Sequence, residues 1–106
     1  MAFTPKNLGF GQLQDSNTAL LEPTALTVVH NIMLHNTHTG DMPFTISLKH
    51  DSATRVIVKG TIATDDTFFL DLRGEGLPLV DGDEIIGMAE TADKINYVIC
   101  GSEDVT

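Results

Sequence analysis

The sequence predicts an all-β chain: an antiparallel β-sandwich of about eight strands, jelly-roll or immunoglobulin-like, with an extended N-terminal arm. Three observations predict it. Apolar residues recur at every second position in short runs, which is the pleat of a strand with one buried face. The runs follow one another at spacings near ten residues, punctuated by Gly, Asp, Asn or Pro. No segment keeps a helical period for three turns, and Pro23 interrupts the one stretch, LLEPTAL, whose composition would suit a helix.

Residues 1–16 read as the arm and residues 17–106 as the sandwich. In the arm Phe3, Leu8, Phe10 and Leu13 follow neither helical nor strand period. Gly9 and Gly11 loosen the backbone, and Pro5 lacks an amide proton. Such a segment either frays or lies on another surface, and Phe3, Leu8 and Phe10 are the candidates for gripping a neighbour. Asn17–Leu21 is a short strand ended by Glu22-Pro23. Ala25–Asn36 is the longest strand, with Leu26, Val28, His30, Ile32 and Leu34 on one face. Its second face, Thr27, Val29, Asn31, Met33 and His35, is mixed, which makes Val29 and Met33 the candidates for self-association.

Phe44–His50 directs Phe44, Ile46 and Leu48 inward. Arg55–Ala63 is β-branched and alternating, and Thr67–Leu72 sets Phe68, Leu70 and Leu72 on one side. The stretch from Leu77 to Glu103 organises the rest as two further strands. Asp81-Gly82-Asp83 is a turn signal ahead of Ile85, Gly87 and Ala89, and Ile95, Tyr97 and Ile99 share one side of the last strand. Area scaling gives a chain of this length about 5,800 Å² of folded surface, enough for one modest core.

Fifteen acidic residues against six basic ones give a net charge of −9. That leaves no basic footprint for a nucleic-acid backbone and no attraction to an anionic membrane surface. No apolar run approaches the ~20 residues needed to span a bilayer, and the N-terminal residues do not read as a secretory leader. Cys100 is the single cysteine and reads as a small buried hydrophobe.

The chemistry-bearing residues do not form a catalytic set. His30, His35, His38 and His50 include a His-x-x-His spacing, but residues five apart on one strand project to opposite faces, so no metal is expected. Histidines near a subunit contact would make assembly pH-sensitive. Asp65-Asp66, Asp81/Asp83 and Glu103-Asp104 lie in turns or near the end and read as solvated caps. No nucleophile elbow and no phosphate-cradling loop is present, so the expectation is a protein without catalysis and without a cofactor.

Several stretches resemble a family of small virion proteins of tailed bacteriophages. They are the glycine-containing N-terminal segment, TVVHNIMLHNT at Thr27–Thr37, TISL at Thr45–Leu48, LPLVDGDEIIGMA at Leu77–Ala89 and GSE at Gly101–Glu103. The resemblance implies a non-catalytic particle component built of β-sandwich subunits. It points to a capsid cement, or decoration, protein that trimerises on the outer capsid, assembles in the host cytoplasm and has the major capsid protein as its partner. A tail or head-to-tail joining component is the alternative within that class, and a small carbohydrate-binding module is the alternative outside it.

Overall fold

A computed structural model describes residues 3–72, 74 and 76–104. The described residues form nine strands: β1 (Phe3–Gln12), β2 (Thr18–Leu21), β3 (Thr27–Asn36), β4 (Met42–His50), β5 (Ala53–Ile62), β6 (Thr67–Asp71), β7 (Leu77–Leu79), β8 (Glu84–Ala89) and β9 (Ile95–Asp104). One sheet has the order β1-β9-β3-β6, with β7 also on β3; the other has the order β2-β8-β4-β5. Every pairing is antiparallel. The accessible surface is 5890 Å².

The topology follows from one long ribbon folded at its middle. β4 pairs with β5 across the Asp51-Ser52 turn, whose φ values of 51° and 66° are those of a tight hairpin. Outward from that turn β3 pairs with β6 and β7, β2 with β8, and β1 with β9. Wrapping the ribbon puts alternate pairs in alternate sheets, which is the jelly-roll order. β8 and β9, adjacent in sequence, therefore stand in opposite sheets.

β1 is the first half of the outermost ribbon pair. Residues 3–12, expected as an arm, form a full-length strand on β9. Two features hide its period. The register shifts between Asn7 and Gly9, so Leu8 is an extra residue in a bulge. Gly9 and Gly11 are bare for want of room: a Cβ on Gly9 would stand 3.0 Å from the Leu20 carbonyl oxygen and 3.2 Å from Ile99 Cδ1, and one on Gly11 3.2 Å from Tyr97 Cε2.

The core fills the space between the sheets. Ile32, Leu34, Ile95 and Ile99 come from one layer and Phe44, Ile46, Ile85 and Ala89 from the other. Asn36 is fully buried and fully used: its Nδ2 donates to the carbonyls of Gly40 (2.9 Å) and Ile62 (2.8 Å), and its Oδ1 accepts from the His38 amide (2.8 Å).

The β3 phase differs from the simple alternation expected. Val29 pairs with Gly101 but Asn31 pairs with Cys100, so His30 is an extra residue. Thr27 and Val29 point inward before this bulge, and Ile32, Leu34 and Asn36 point inward after it. Val29, one of the two residues expected in self-association, is thus in the core and fully buried. Two glycines make room for the bulge. A Cβ on Gly101 would run into the Val28 carbonyl oxygen, and one on Gly76 would lie 2.7 Å from the Val29 carbonyl oxygen. Cys100, expected inside, is half-buried on the outward side of β9.

A clasp joins the β4–β5 turn to the turn before β8. His50 Nδ1 lies 2.7 Å from Asp83 Oδ1, and Asp83 Oδ2 accepts the Val80 amide at 3.0 Å. Asp83, expected as a solvated cap, is buried. His50 Nε2 also lies 3.3 Å from Asp51. The Asp83 hydrogen bond and the flanking carboxylates raise the His50 pKa. The Val80 amide, then the hydrogen bond and charge of His50, lower that of Asp83 against the desolvation that opposes them. The His50 contribution is present below 6.5 and lost as pH rises through the raised folded value. The Asp83 contribution is present above 3.8 and lost as pH falls through the lowered folded value.

Two outcomes are expected. Gly101→Ala should cost at least about 3 kcal/mol in urea unfolding, because backbone must move, while Gly40→Ala should change stability by less than about 1 kcal/mol. The melting temperature of the wild type should fall relative to His50→Gln as pH rises from about 6 to about 8; a constant difference would show that the clasp does not contribute.

Candidate functional site

The register of the first sheet lines its outward residues into ranks that cross four strands. The central rank is Phe69 on β6, Met33 on β3, Val98 on β9 and Phe10 on β1, each directly opposite the next. Phe10 is 78% exposed and Phe69 58%, while Met33 and Val98 between them are half-buried. An unbroken apolar rank in water is unusual, because the outward face of a sandwich sheet ordinarily carries polar residues.

The flanking ranks are polar but nearly uncharged. On one side stand Thr67, His35, Asn96 and Gln12; on the other Asp71, Asn31, Cys100 and Asn7. The first of these is tied together by hydrogen bonds, His35 Nδ1 to Thr67 Oγ1 at 2.8 Å and Gln12 Nε2 to Asn96 Oδ1 at 2.9 Å. Asp71 is the single Asp, Glu, Lys or Arg among these twelve positions, in a chain that has twenty-one of them. The outward side of the second sheet is different. There Lys49 and Glu84 pair at 3.3 Å, and Lys59 stands opposite Thr45.

At the β1 end the rank opens into a groove of about 500 Å³ lined by Phe10, Gln12, Gln14, Asp93, Asn96 and Val98, among others. Its amides are already engaged, Gln14 Nε2 donating to Asp93 Oδ1 at 2.9 Å and Gln12 Nε2 to Asn96. An acidic notch of about 250 Å³ includes Glu22, Asp81, Asp83 and Glu84, of which Asp83 and Glu84 are held by His50 and Lys49.

The structure sorts the residues singled out from the sequence. It brings Phe10 and Met33, expected to serve different contacts, into one rank. Leu8 is half-buried and packs on the core. Val29 is inside, as described above. The Phe3 side chain lies outside the described residues, and its backbone pairs with Asp104. Alternation along the sequence does not single out Phe69 or Val98. Each stands on the outward side of a strand whose inward residues follow from alternation, yet only the cross-strand register shows them to be neighbours. The four histidines do not gather: His35 bonds Thr67, His50 closes the clasp and His30 occupies the bulge. Among the described residues no three His, Cys, Asp or Glu side chains converge as metal ligands.

No protein-family model matches the chain, and no curated protein matches it in sequence. Among solved structures, two crystal structures of a pentameric capsid protein isolated from metagenomic phage sequences, one solved by iodide SAD phasing, are similar to it. Both have a TM-score of 0.42 and 12% identity and cover 92% of this chain; the share of their own chains covered is 60% and 62%. The chain thus spans about three fifths of the length of that protein.

Proposed function

We propose that this protein is a structural component of a tailed-bacteriophage virion, of the capsid cement kind. In this reading it acts without catalysis. It sits on the outer capsid as a trimer, meets the major capsid protein through the outward face of the first sheet, and stabilises the shell by surface complementarity.

The observation that carries the reading is the apolar rank Phe69–Met33–Val98–Phe10 set in a face almost empty of charge. Interface centres are depleted in charged residues and enriched in aromatics and Met, with a polar rim, and this face has that anatomy. The acidic remainder keeps the free subunit soluble at the concentrations assembly requires. The stretches that resemble phage virion proteins lie on β1, β3, β4, β7–β8 and the end of β9, strands of both layers.

A jelly roll serves capsid subunits and lectins alike, so the fold alone does not choose between them. The face does. Sugar recognition uses an aromatic platform ringed by free donors and acceptors; here the middle of the rank is aliphatic, and the Gln12 and Gln14 donors are held within the chain. A protein surface is the better fit.

The test is binding to purified capsids, with bound copies counted by electron microscopy. The expected result is saturable attachment to the outer surface in threes. Phe10→Ser and Phe69→Ser should each weaken attachment about tenfold or more, with melting temperatures near wild type because both rings are exposed. Absence of attachment, or attachment that neither substitution weakens, would overturn the proposal. A ring of six or twelve copies at the neck would assign the chain to the head-to-tail junction instead.

A further inference from the structure

We infer that, before it meets a shell, the uncharged face of the first sheet is covered by a second copy of the same chain, sheet face on sheet face across a twofold axis. The capsid role proposed above enters only in the release step, where the shell competes for the same rank.

Electrostatics select the surface. Two molecules that each carry −9 repel one another over most of their area. Self-contact is least opposed where ionised groups are absent, and the three ranks across β6, β3, β9 and β1 carry one carboxylate in twelve positions. The β1 and β5 edges of the sheets are poorer routes. β1 carries Pro5, Lys6 and the Leu8 bulge, and β5 carries Arg55, Lys59 and a bulge at Ile57; charge, proline and bulges all blunt edge-to-edge pairing.

Area sets the strength. β1, β9 and β3 have ten residues each, and the five of β6 with the three of β7 flank β3 as a fourth column; at ~4.8 Å between strands and ~3.3 Å per residue that is a face of about 600 Å², so two faces bury on the order of 1,200 Å² together. That is the lower limit of specific interfaces, which suits a pair that forms and exchanges readily. The rank also suits a twofold operation, which requires a self-complementary patch. Its aromatic ends, Phe69 and Phe10, would cross so that each ring covers the other copy's opposite end, with Met33 and Val98 at the centre. Facing sheets then interdigitate about 10 Å apart, as the two layers within one subunit do.

Sedimentation of the full chain over a wide concentration range, with and without capsids, tests this. The expected result is a monomer–dimer equilibrium with a dissociation constant on the order of micromolar. Phe69→Lys and Phe10→Lys should each raise that constant about 30-fold or more; near-native melting temperatures would confirm that folding is intact. A short bis-maleimide should link two copies of Val98→Cys in a Cys100→Ala background, and should not link Val56→Cys on the second sheet. Added capsids should dissolve the dimer. A chain that stays monomeric at millimolar concentration but still binds capsids would overturn the inference and leave the capsid role standing. A dimer insensitive to both lysine substitutions would also overturn it. A dimer that both substitutions disrupt, in a chain that never binds capsids, would uphold the inference and remove the capsid role.

Discussion

The structure depends on where β3 changes phase. One extra residue, His30, opposes nothing on β9, and this reverses which side chains face inward on either side of it. The N-terminal part of β3 gives Thr27 and Val29 to the core, and the C-terminal part gives Ile32, Leu34 and Asn36. Two glycines from different parts of the chain make this possible. Gly101 on β9 lies against the Val28 backbone and Gly76 ahead of β7 against the Val29 carbonyl oxygen, where a side chain would collide. Gly76 has a φ of 77°, so it meets a conformational demand as well as a steric one. The outward position of Met33, and with it the continuity of the apolar rank, follows from that reversal.

Charge is distributed to the same end. The acidic residues concentrate in turns and near strand ends, where water screens them or local partners hold them, as His50 holds Asp83. The central ranks of the first sheet are left nearly neutral. A protein with this distribution stays dispersed by its net charge yet keeps one face on which an apolar partner can settle without desolvating ions. The aromatic residues divide accordingly. Phe44 and Phe68 pack within the sandwich with ring centroids 5.1 Å apart, while Phe10 and Phe69 stand in solvent.

Much of the sandwich was legible in the sequence, because alternation and turn chemistry are local signals. β4, β6 and β8 and the inward residues Phe44, Ile46, Phe68, Ile85 and Ala89 follow from period two alone. Three things were not legible, for one shared reason. Leu8, His30 and Ile57 are bulge residues, and a bulge is a relation between two strands that one strand's pattern does not display. That is why β1 read as an arm and Val29 as an outward residue. It is also why the sequence separates Phe10 from Met33: they lie twenty-three positions apart and share a rank only through β9. Jelly-roll order likewise rests on which strands pair, and the sequence left it open beside the immunoglobulin-like alternative.

The most direct test of the phase reversal is the rate at which a thiol reagent labels Val29→Cys and Met33→Cys in the folded, dilute protein, each in a Cys100→Ala background. The two positions are four residues apart, so an unbroken strand would place both on one side. The bulge predicts that Met33→Cys labels readily while Val29→Cys is protected until the protein unfolds. Similar rates at the two positions, or protection of position 33 with labelling of position 29, would contradict it and dissolve the rank on which the proposed contact depends.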